Sequence, residues 1–272
     1  MPIGGGRVIG IVESGNPDGP PVFYFHGFPG SRLESGFLEA AAITAGVRLI
    51  GVDRPGMGYS TPVVGRSVLD WPDDVERLGR AIGLDRFAVI GYSAGGPYAA
   101  ACARQISHRL TGCAIVSGAG DMGVARSFAA RYMARSLLPP LRCLLADEAT
   151  AAQALARFLW IWPEPDRSIV SRPEIMASMA RSLPEAFKQG IEGAVEDARL
   201  LASPLGFSPG EITGVPVAVW HGERDRVVPV TVGQIAAQAI PHAASHILAG
   251  EGHVSLIGNR GVEILRSVAG AQ

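Results

Sequence analysis

The sequence is poor in lysine and in charged residues generally. Lys188 is the only lysine, charged residues make up 18% of the 272 residues, and the formal net charge is −1. The usual charged share is about 25%. The other cationic side chains are arginines, which are scattered along the chain and form no arginine-rich helix face. This balance gives no electrostatic basis for binding nucleic acid or an anionic membrane, so we expect neither as a partner.

Cysteine is also scarce. The three cysteines, Cys102, Cys113 and Cys143, occur without a CxxC spacing. This argues against a disulfide framework and against a zinc site. We therefore expect no metal, and we interpret each cysteine as a small apolar residue.

Long apolar runs are missing as well. No window reaches 18 uninterrupted apolar residues, so no membrane span is expected. The N-terminal stretch MPIGGGRVIG lacks the charged region and the long apolar core of a signal peptide. Together these absences favour a cytoplasmic location.

Short apolar runs that alternate with helical patterns are abundant, and hydrophobic residues make up 47% of the chain. This alternation predicts an α/β fold with a mostly parallel, doubly wound sheet. The predicted strands are 21–25, 47–52, 87–91, 110–116, 215–220 and 244–249, with an earlier strand at 6–15 and helices such as 68–82 and 97–104.

Residues 121–200 interrupt this alternation. The stretch shows no strand pattern, and it holds four of the six methionines and the aromatic residues Phe128, Phe158, Trp160, Trp162 and Phe187. An all-helical insertion suggests a cap over the C-terminal edge of the sheet, where ligands bind in open α/β folds. We therefore predict a core of residues 1–120 and 201–272 and a helical cap of residues 121–200.

A serine lies in a glycine cluster between a predicted strand and a predicted helix. The stretch GYSAG places Ser93 in a G-x-S-x-G pattern, which is typical of a nucleophile on a sharp strand–turn–helix connection. Gly91 and Gly95 lack the side chains that would collide across such a turn. Pro97 suits the first turn of the following helix, where a missing N–H costs no intrahelical bond. The pattern indicates that the Ser93 hydroxyl projects above the sheet.

A serine hydroxyl is a poor nucleophile near neutral pH, and it needs a base that is itself oriented by an acid. Two downstream residues stand where the chain order serine, acid, histidine requires them. Asp225 follows the predicted strand at 215–220, and His253 lies in the loop after the last predicted strand. The sequence therefore predicts that Ser93, His253 and Asp225 act together.

Five stretches in this order resemble the α/β-hydrolase fold superfamily, in its serine-nucleophile branch with a helical cap. They are YFHGFPGS, GVDRPGMGYS, GYSAGG, WHGERDRVVP and GEGHVS. The resemblance implies Ser93 as nucleophile, His253 as general acid and base, and Asp225 as the orienting acid. It also implies that the cap lies between the sixth and seventh strands. A serine at position 93 disfavours the branches that use an aspartate nucleophile.

An acyl-transfer intermediate needs two fixed donors for its oxyanion. One expected donor is the backbone N–H of Ala94, which follows the nucleophile. The other should come from the HGFPG loop, where Pro29 has no N–H and Phe28 does. Phe28 also matches the donor position of the resembled family. We therefore predict an oxyanion hole formed by Phe28 and Ala94.

Other residues compete for these roles. Asp121 follows the predicted strand at 110–116, where some family members carry the acid, and Glu223 lies close to Asp225. His26 and His221 each stand in an H-G pair at a strand end, and we interpret both as structural. Asp225 fits the G-x-x-D pattern, and His253 lies in a glycine-flanked loop, so both remain the preferred candidates.

These features predict a serine hydrolase that needs no cofactor and cleaves a small, mostly apolar ester or related acyl substrate. Met-rich and aromatic lining suits an adaptable apolar pocket. Carbon–carbon bond hydrolases, aminopeptidases and perhydrolases of similar fold use the same three residues, and fold alone does not fix the reaction. An aminopeptidase would need acidic cap residues to bind an amine, for which the chain offers Glu164, Asp166, Glu192, Glu196 and Asp197. A ligand-binding protein with little turnover, or a non-hydrolytic use of the triad, are further alternatives.

Overall fold

The computed structural model of the protein describes residues 1–118 and 128–270. Its strands are β1 (Pro2–Gly4), β2 (Arg7–Val8), β3 (Ile11–Gly15), β4 (Pro21–Phe25), β5 (Arg48–Val52), β6 (Phe87–Tyr92), β7 (Leu110–Val116), β8 (Val217–Gly222) and β9 (Ala244–Leu248). Its α-helices are α1 (Glu39–Ala45), α2 (Trp71–Ala81), α3 (Gly96–Gln105), α4 (Phe128–Leu144), α5 (Glu148–Arg157), α6 (Glu164–Val170), α7 (Pro173–Ala186), α8 (Glu192–Leu201), α9 (Val230–Ala239) and α10 (His253–Ala269).

The seven strands β3 to β9 form one sheet in the order β3-β5-β4-β6-β7-β8-β9, and only β3 runs antiparallel to its neighbour. Successive side chains of a strand point to opposite faces of a sheet. Phe23 and Phe25 accordingly pack in a core with Trp71 of α2, whereas Tyr24 packs in a second core with Ile257 of α10. Helices therefore cover both faces, and the sheet is the predicted doubly wound one.

The strand register brings the loops at the C-terminal edge together. Phe25 is paired with Gly91, and Tyr92 is paired with Val116. On the other side of β7, Val116 is paired with Trp220. The loop after β4 therefore begins beside the turn that carries Ser93, as parallel strands require.

The single strand predicted at 6–15 is wrong. The structure has two short strands there: β2 pairs with β1 in a separate ribbon, and β3 joins the large sheet. Gly10, between them, donates its N–H to the Ser60 hydroxyl, and its carbonyl accepts a bond from Asp53 N–H. The backbone at this point is bonded to a loop and not to a strand, so one continuous strand is interrupted.

In the described part of the chain between β7 and β8 lie the helices α4 to α8, and we call residues 128–201 the helical segment. Among the described residues, this segment contains no strand, as the sequence predicts. It follows Leu110–Val116 and precedes Val217–Gly222, which are the fifth and sixth strands of the large sheet in chain order. The resembled family numbers these two strands sixth and seventh, because its count has one more strand before them. The division into core and cap at residues 121–200 stays a prediction.

Within the described residues, no helix is long and apolar enough to cross a membrane.

Candidate active site

Ser93 lies on a tight turn between β6 and α3. Its φ is +51°, in the left-handed region that non-glycine residues rarely adopt, and such strain is concentrated at functional sites. A Cβ on Gly91 would collide with the carbonyl oxygen of Gly95, and a Cβ on Gly95 would collide with that of Phe25. Both glycines are therefore needed for this turn to form and to pack against β4.

Asp225 and His253 are in direct contact. His253 is the first residue of α10, and its Nδ1 lies 2.7 Å from Asp225 Oδ2. The other carboxylate oxygen of Asp225 accepts hydrogen bonds from the N–H groups of Val227 and Val228, each at 2.8 Å. Two backbone donors therefore hold the carboxylate in the orientation that faces the imidazole.

The surroundings of Asp225 keep it ionised. Burial alone would raise the pKa of Asp225, but hydrogen bonds from His221 and His253 lower that pKa well below its ordinary value. An ionised Asp225 can only accept, so the proton of a neutral His253 is placed on Nδ1 and its Nε2 is left as an acceptor. This tautomer is the one that a general base toward Ser93 requires.

His221 takes part in this arrangement in a way that the sequence did not indicate. Its Nε2 lies 2.9 Å from the carbonyl oxygen of Val228 and 3.3 Å from Asp225 Oδ2. A proton on Nε2 can be donated to both oxygens. The interpretation of His221 as a structural residue fits this geometry. Its contact with Asp225 depends on the turn at 223–228, and no pattern in the neighbouring sequence predicts it.

Asp166 lies on α6 of the helical segment and holds the start of α10. Its side chain is fully buried, and it accepts hydrogen bonds from the N–H groups of His253 (3.1 Å), Val254 (2.9 Å) and Ser255 (2.9 Å). A Cβ on Gly252 would lie 2.5 Å from Asp166 Oδ1, so only glycine leaves room for this contact. A carboxylate at a helix N-terminus is favoured by the helix dipole and by the free N–H groups there.

We expect Asp166→Asn to lower the free energy of unfolding by about 1–3 kcal/mol, because an amide nitrogen would then face buried backbone donors. We also expect a lower kcat, since the backbone of His253 loses its partner. Glu164→Gln, an exposed change on the same helix, is the matched control. Urea unfolding and kcat, measured well below the melting temperature, test both expectations, and an unchanged kcat would contradict the positioning role of Asp166.

Arg54 forms hydrogen bonds to the backbone of the loop that carries Phe28. The guanidinium of Arg54 donates to the carbonyl oxygens of His26 and of Gly27, the latter at 3.1 Å. Its Nη2 also lies 2.7 Å from Asp197 Oδ2, and both side chains are fully buried. Arg54 thus orders the loop beside the site. The oxyanion-hole roles of Phe28 and Ala94 stay predictions.

Ser93 and His253 line a common cavity of about 340 Å³. Phe28 lines it too, and its walls are otherwise mostly apolar. The helical segment contributes the larger part of these apolar side chains, namely Leu141, Leu144, Leu145, Leu155, Phe158, Ile161, Trp162, Met179 and Leu183. Phe187 packs instead in a core cluster, and Trp160 is 73% exposed.

The competing candidates are placed elsewhere or lie outside the described residues. Glu223 is exposed, whereas Asp225 contacts His253. Asp121 lies outside residues 1–118 and 128–270. Of the acids considered for amine binding, Asp166 and Asp197 are fully buried and already bonded within the protein. Within the described residues, no group of three or more His, Cys, Asp or Glu side chains is placed to hold a metal ion.

A model of the alpha/beta hydrolase fold matches residues 20–259. The chain belongs to the alpha/beta hydrolase fold family. Within that family, the chain is 27% identical over 276 residues to a proline iminopeptidase of Xanthomonas citri, a match that covers 89% of this chain and 85% of that protein. This hydrolase-family chain also resembles the structure of a thermophilic esterase from Thermogutta terrifontis, with a TM-score of 0.69, 22% identity, and coverage of 96% and 92% of the two chains.

A longer protein also matches this family member. The chain is 25% identical over 240 residues to the dihydrolipoyllysine-residue acetyltransferase component of the acetoin cleaving system of Cupriavidus necator. The match covers 86% of this chain but only 59% of that protein. The chain therefore spans about three fifths of the length of this relative.

Proposed function

We propose that the protein is a serine hydrolase that cleaves small, mostly apolar esters or related acyl substrates. The observation that carries this proposal is the 2.7 Å contact between His253 Nδ1 and Asp225 Oδ2, at a cavity that Ser93 also lines. The strained backbone of Ser93 and the apolar walls support it. Membership of the alpha/beta hydrolase fold family is consistent with this chemistry.

In the proposed reaction, Ser93 Oγ attacks the carbonyl carbon of the ester and its proton passes to His253 Nε2. Asp225 stabilises the imidazolium that forms. The oxyanion is stabilised by the N–H groups of Phe28 and Ala94. His253 then gives the proton to the leaving alcohol, and an acyl-enzyme remains. Water, activated by His253, hydrolyses that ester, and the released proton returns to Ser93.

We further propose that residues 121–200 form a cap that encloses the substrate, since side chains of the helical segment supply most of the apolar wall. The acyl substrate is the only partner that the proposal requires. The cytoplasmic location favoured by the sequence is part of the same proposal.

We expect hydrolysis of p-nitrophenyl esters with the highest kcat/KM for short and medium acyl chains, because a cavity of about 340 Å³ limits the length of the acyl group. Initial rates on acetate, butanoate, octanoate and dodecanoate esters test this expectation. A fluorophosphonate probe should label the folded protein at Ser93. Labelling without turnover of any ester would favour a carbon–carbon bond hydrolase or a non-hydrolytic use of the triad, and absence of labelling would favour a ligand-binding protein.

An amide-cleaving aminopeptidase is the less favoured alternative. The sequence assigns the binding of a substrate amine to acids of residues 121–200, two of which are Asp166 and Asp197. Asp166 and Asp197 are not available, because backbone N–H groups and arginines occupy them. Substrate turnover of amino-acid amides that exceeds that of esters would reverse this preference.

A further inference from the structure

A buried carboxyl group shares the cavity with Ser93. Glu34 follows the HGFPGS loop, is only 8% exposed and lines the cavity. Its Oε2 accepts hydrogen bonds from the Gly27 N–H at 2.6 Å and from the Tyr24 hydroxyl at 3.0 Å. One of the two carboxyl oxygens is therefore fixed by the protein.

The second oxygen, Oε1, has no such partner. Among the side chains that the structure describes, in residues 1–118 and 136–270, none donates a hydrogen bond to Oε1 and no cation forms an ion pair with Glu34. The nearby Arg54 is bonded to backbone carbonyls and to Asp197 instead. Because Glu34 lines the cavity, an acceptor that no protein group occupies is available there to a bound ligand that supplies a donor.

Gly27 separates this oxygen from the nucleophile. A Cβ on Gly27 would lie 3.2 Å from Glu34 Oε1 and 3.5 Å from Ser93 Cβ. The carboxyl oxygen and the serine thus lie on either side of one glycine that has no side chain to fill the gap. A small group on a substrate held at Ser93 can reach Oε1 through this gap.

The hydroxyl groups of Ser182 and Tyr92, which also line the cavity wall, already have partners. The Ser182 hydroxyl bonds to the N–H and the hydroxyl of Ser31, and the Tyr92 hydroxyl lies 3.4 Å from the carbonyl oxygen of His253. Outside the predicted triad, Glu34 therefore offers the acceptor that is best placed to meet a substrate. Burial raises the pKa of Glu34 to about 7, although the bonds from Gly27 and Tyr24 and the charge of Arg54 oppose this shift.

We propose that Glu34 is a specificity-determining residue that selects acyl groups carrying a hydrogen-bond donor, a hydroxyl or an ammonium, within two carbons of the scissile carbonyl. This inference rests on the proposed function, because it assumes that Ser93 attacks that carbonyl. The substrate class of the proposed function is thereby narrowed to esters whose acyl group is apolar except for a single hydrogen-bond donor.

Glu34→Gln gives a sharp test. The glutamine oxygen can keep the bonds from Gly27 and Tyr24, and its NH₂ group then takes the place of Oε1, so an acceptor becomes a donor. The substrates are four phenyl esters of similar size: 3-aminobutanoate and 3-hydroxybutanoate carry a donor, 3-methylbutanoate carries a methyl group in its place, and 3-oxobutanoate carries only an acceptor. Assays run at about pH 8, where the Glu34 carboxyl is largely ionised.

For the wild-type protein we expect kcat/KM on the donor esters to exceed that on 3-methylbutanoate by about ten- to a hundredfold, the usual effect of a hydrogen bond to a charged group. The comparison of the amino ester with the hydroxy ester identifies the preferred donor. In Glu34→Gln, the ratio of amino ester to methyl ester should fall by the same factor, and the ratio of oxo ester to methyl ester should rise. Ratios within one variant are independent of the fraction of folded protein.

Glu39→Gln, an exposed change of the same chemistry five residues along the chain, is the matched control and should keep the wild-type ratios. If the wild type turns over the methyl ester but shows no preference for the donor esters, the role of Glu34 is overturned and the proposed function stands. The same holds if Glu34→Gln leaves the ratios unchanged. Failure of all four esters to react would overturn the proposed function as well.

Discussion

Ser93→Ala is expected to lower kcat/KM on p-nitrophenyl butanoate by roughly 10⁴-fold or more, because no other group can form the acyl-enzyme. The remaining rate would come from binding and oxyanion stabilisation. The change keeps Cβ and removes only the hydroxyl. The steric strain of the left-handed backbone at φ +51°, which Cβ causes, is therefore the same in the variant. We therefore expect the melting temperature to stay close to that of the wild type.

Ser182→Ala is the matched control, since it removes a second hydroxyl from the wall of the same cavity. It should retain most of the activity and should still react with a fluorophosphonate, whereas Ser93→Ala should not. Intact-mass spectrometry reports the labelling, and initial rates report kcat/KM. Substantial activity in Ser93→Ala would contradict the assignment of the nucleophile.

Asp197→Asn is expected to have the largest effect on stability, about 3–5 kcal/mol, which is typical when one partner of a buried ion pair is removed. Asp197 lies on α8 of the helical segment, and its carboxylate contacts Arg54 at 2.7 Å, Arg66 at 3.0 Å and the Tyr98 hydroxyl at 2.5 Å. Burial alone would raise the pKa of Asp197, but the two arginines lower it well below its ordinary value. The variant leaves two buried cations without their anion.

Thermal and urea unfolding measure this effect, which corresponds to a decrease in melting temperature of roughly 6–10 °C for a chain of this size. Glu196→Gln is the matched control, because Glu196 is the neighbouring acid and pairs with Arg199 nearer the surface, at 2.7 Å. Its loss should cost at most about 1 kcal/mol. Equal stability of the two variants would contradict a stabilising role of the contacts between Asp197 and the two arginines.

The turn at Ser93 could be predicted from the sequence because its determinants are local. Gly91, Gly95 and Pro97 lie within four residues of the serine, and each acts through the backbone of that stretch. The chain order of Asp225 and His253 likewise follows from strand ends that are visible as apolar runs. The contact between these two side chains is consistent with that prediction.

The supporting residues could not be predicted because their partners are distant in sequence. Asp166 is hydrogen-bonded to His253, which lies 87 residues away in the sequence, and Asp197 is bonded to Arg54, which lies 143 residues away. From the sequence, both acids were candidates for binding a substrate amine. Glu34 has no sequence signal, because only the fold brings its second oxygen next to Gly27 and Ser93. The break in the strand at 6–15 has the same origin, since it depends on the bond from Gly10 N–H to the Ser60 hydroxyl and on the bond from Asp53 N–H to the Gly10 carbonyl.

The contacts of Asp166 and Asp197 restrict how the substrate range of this protein can be changed by evolution or by engineering. Replacing the whole helical segment with that of another enzyme would remove the partner of the α10 N-terminus and the partner of Arg54 in one step. Grafts limited to α4 and α5, which supply Leu141 and Leu155 to the cavity wall, would leave both contacts in place. New acyl specificities are therefore more accessible through these two helices than through exchange of the segment as a module.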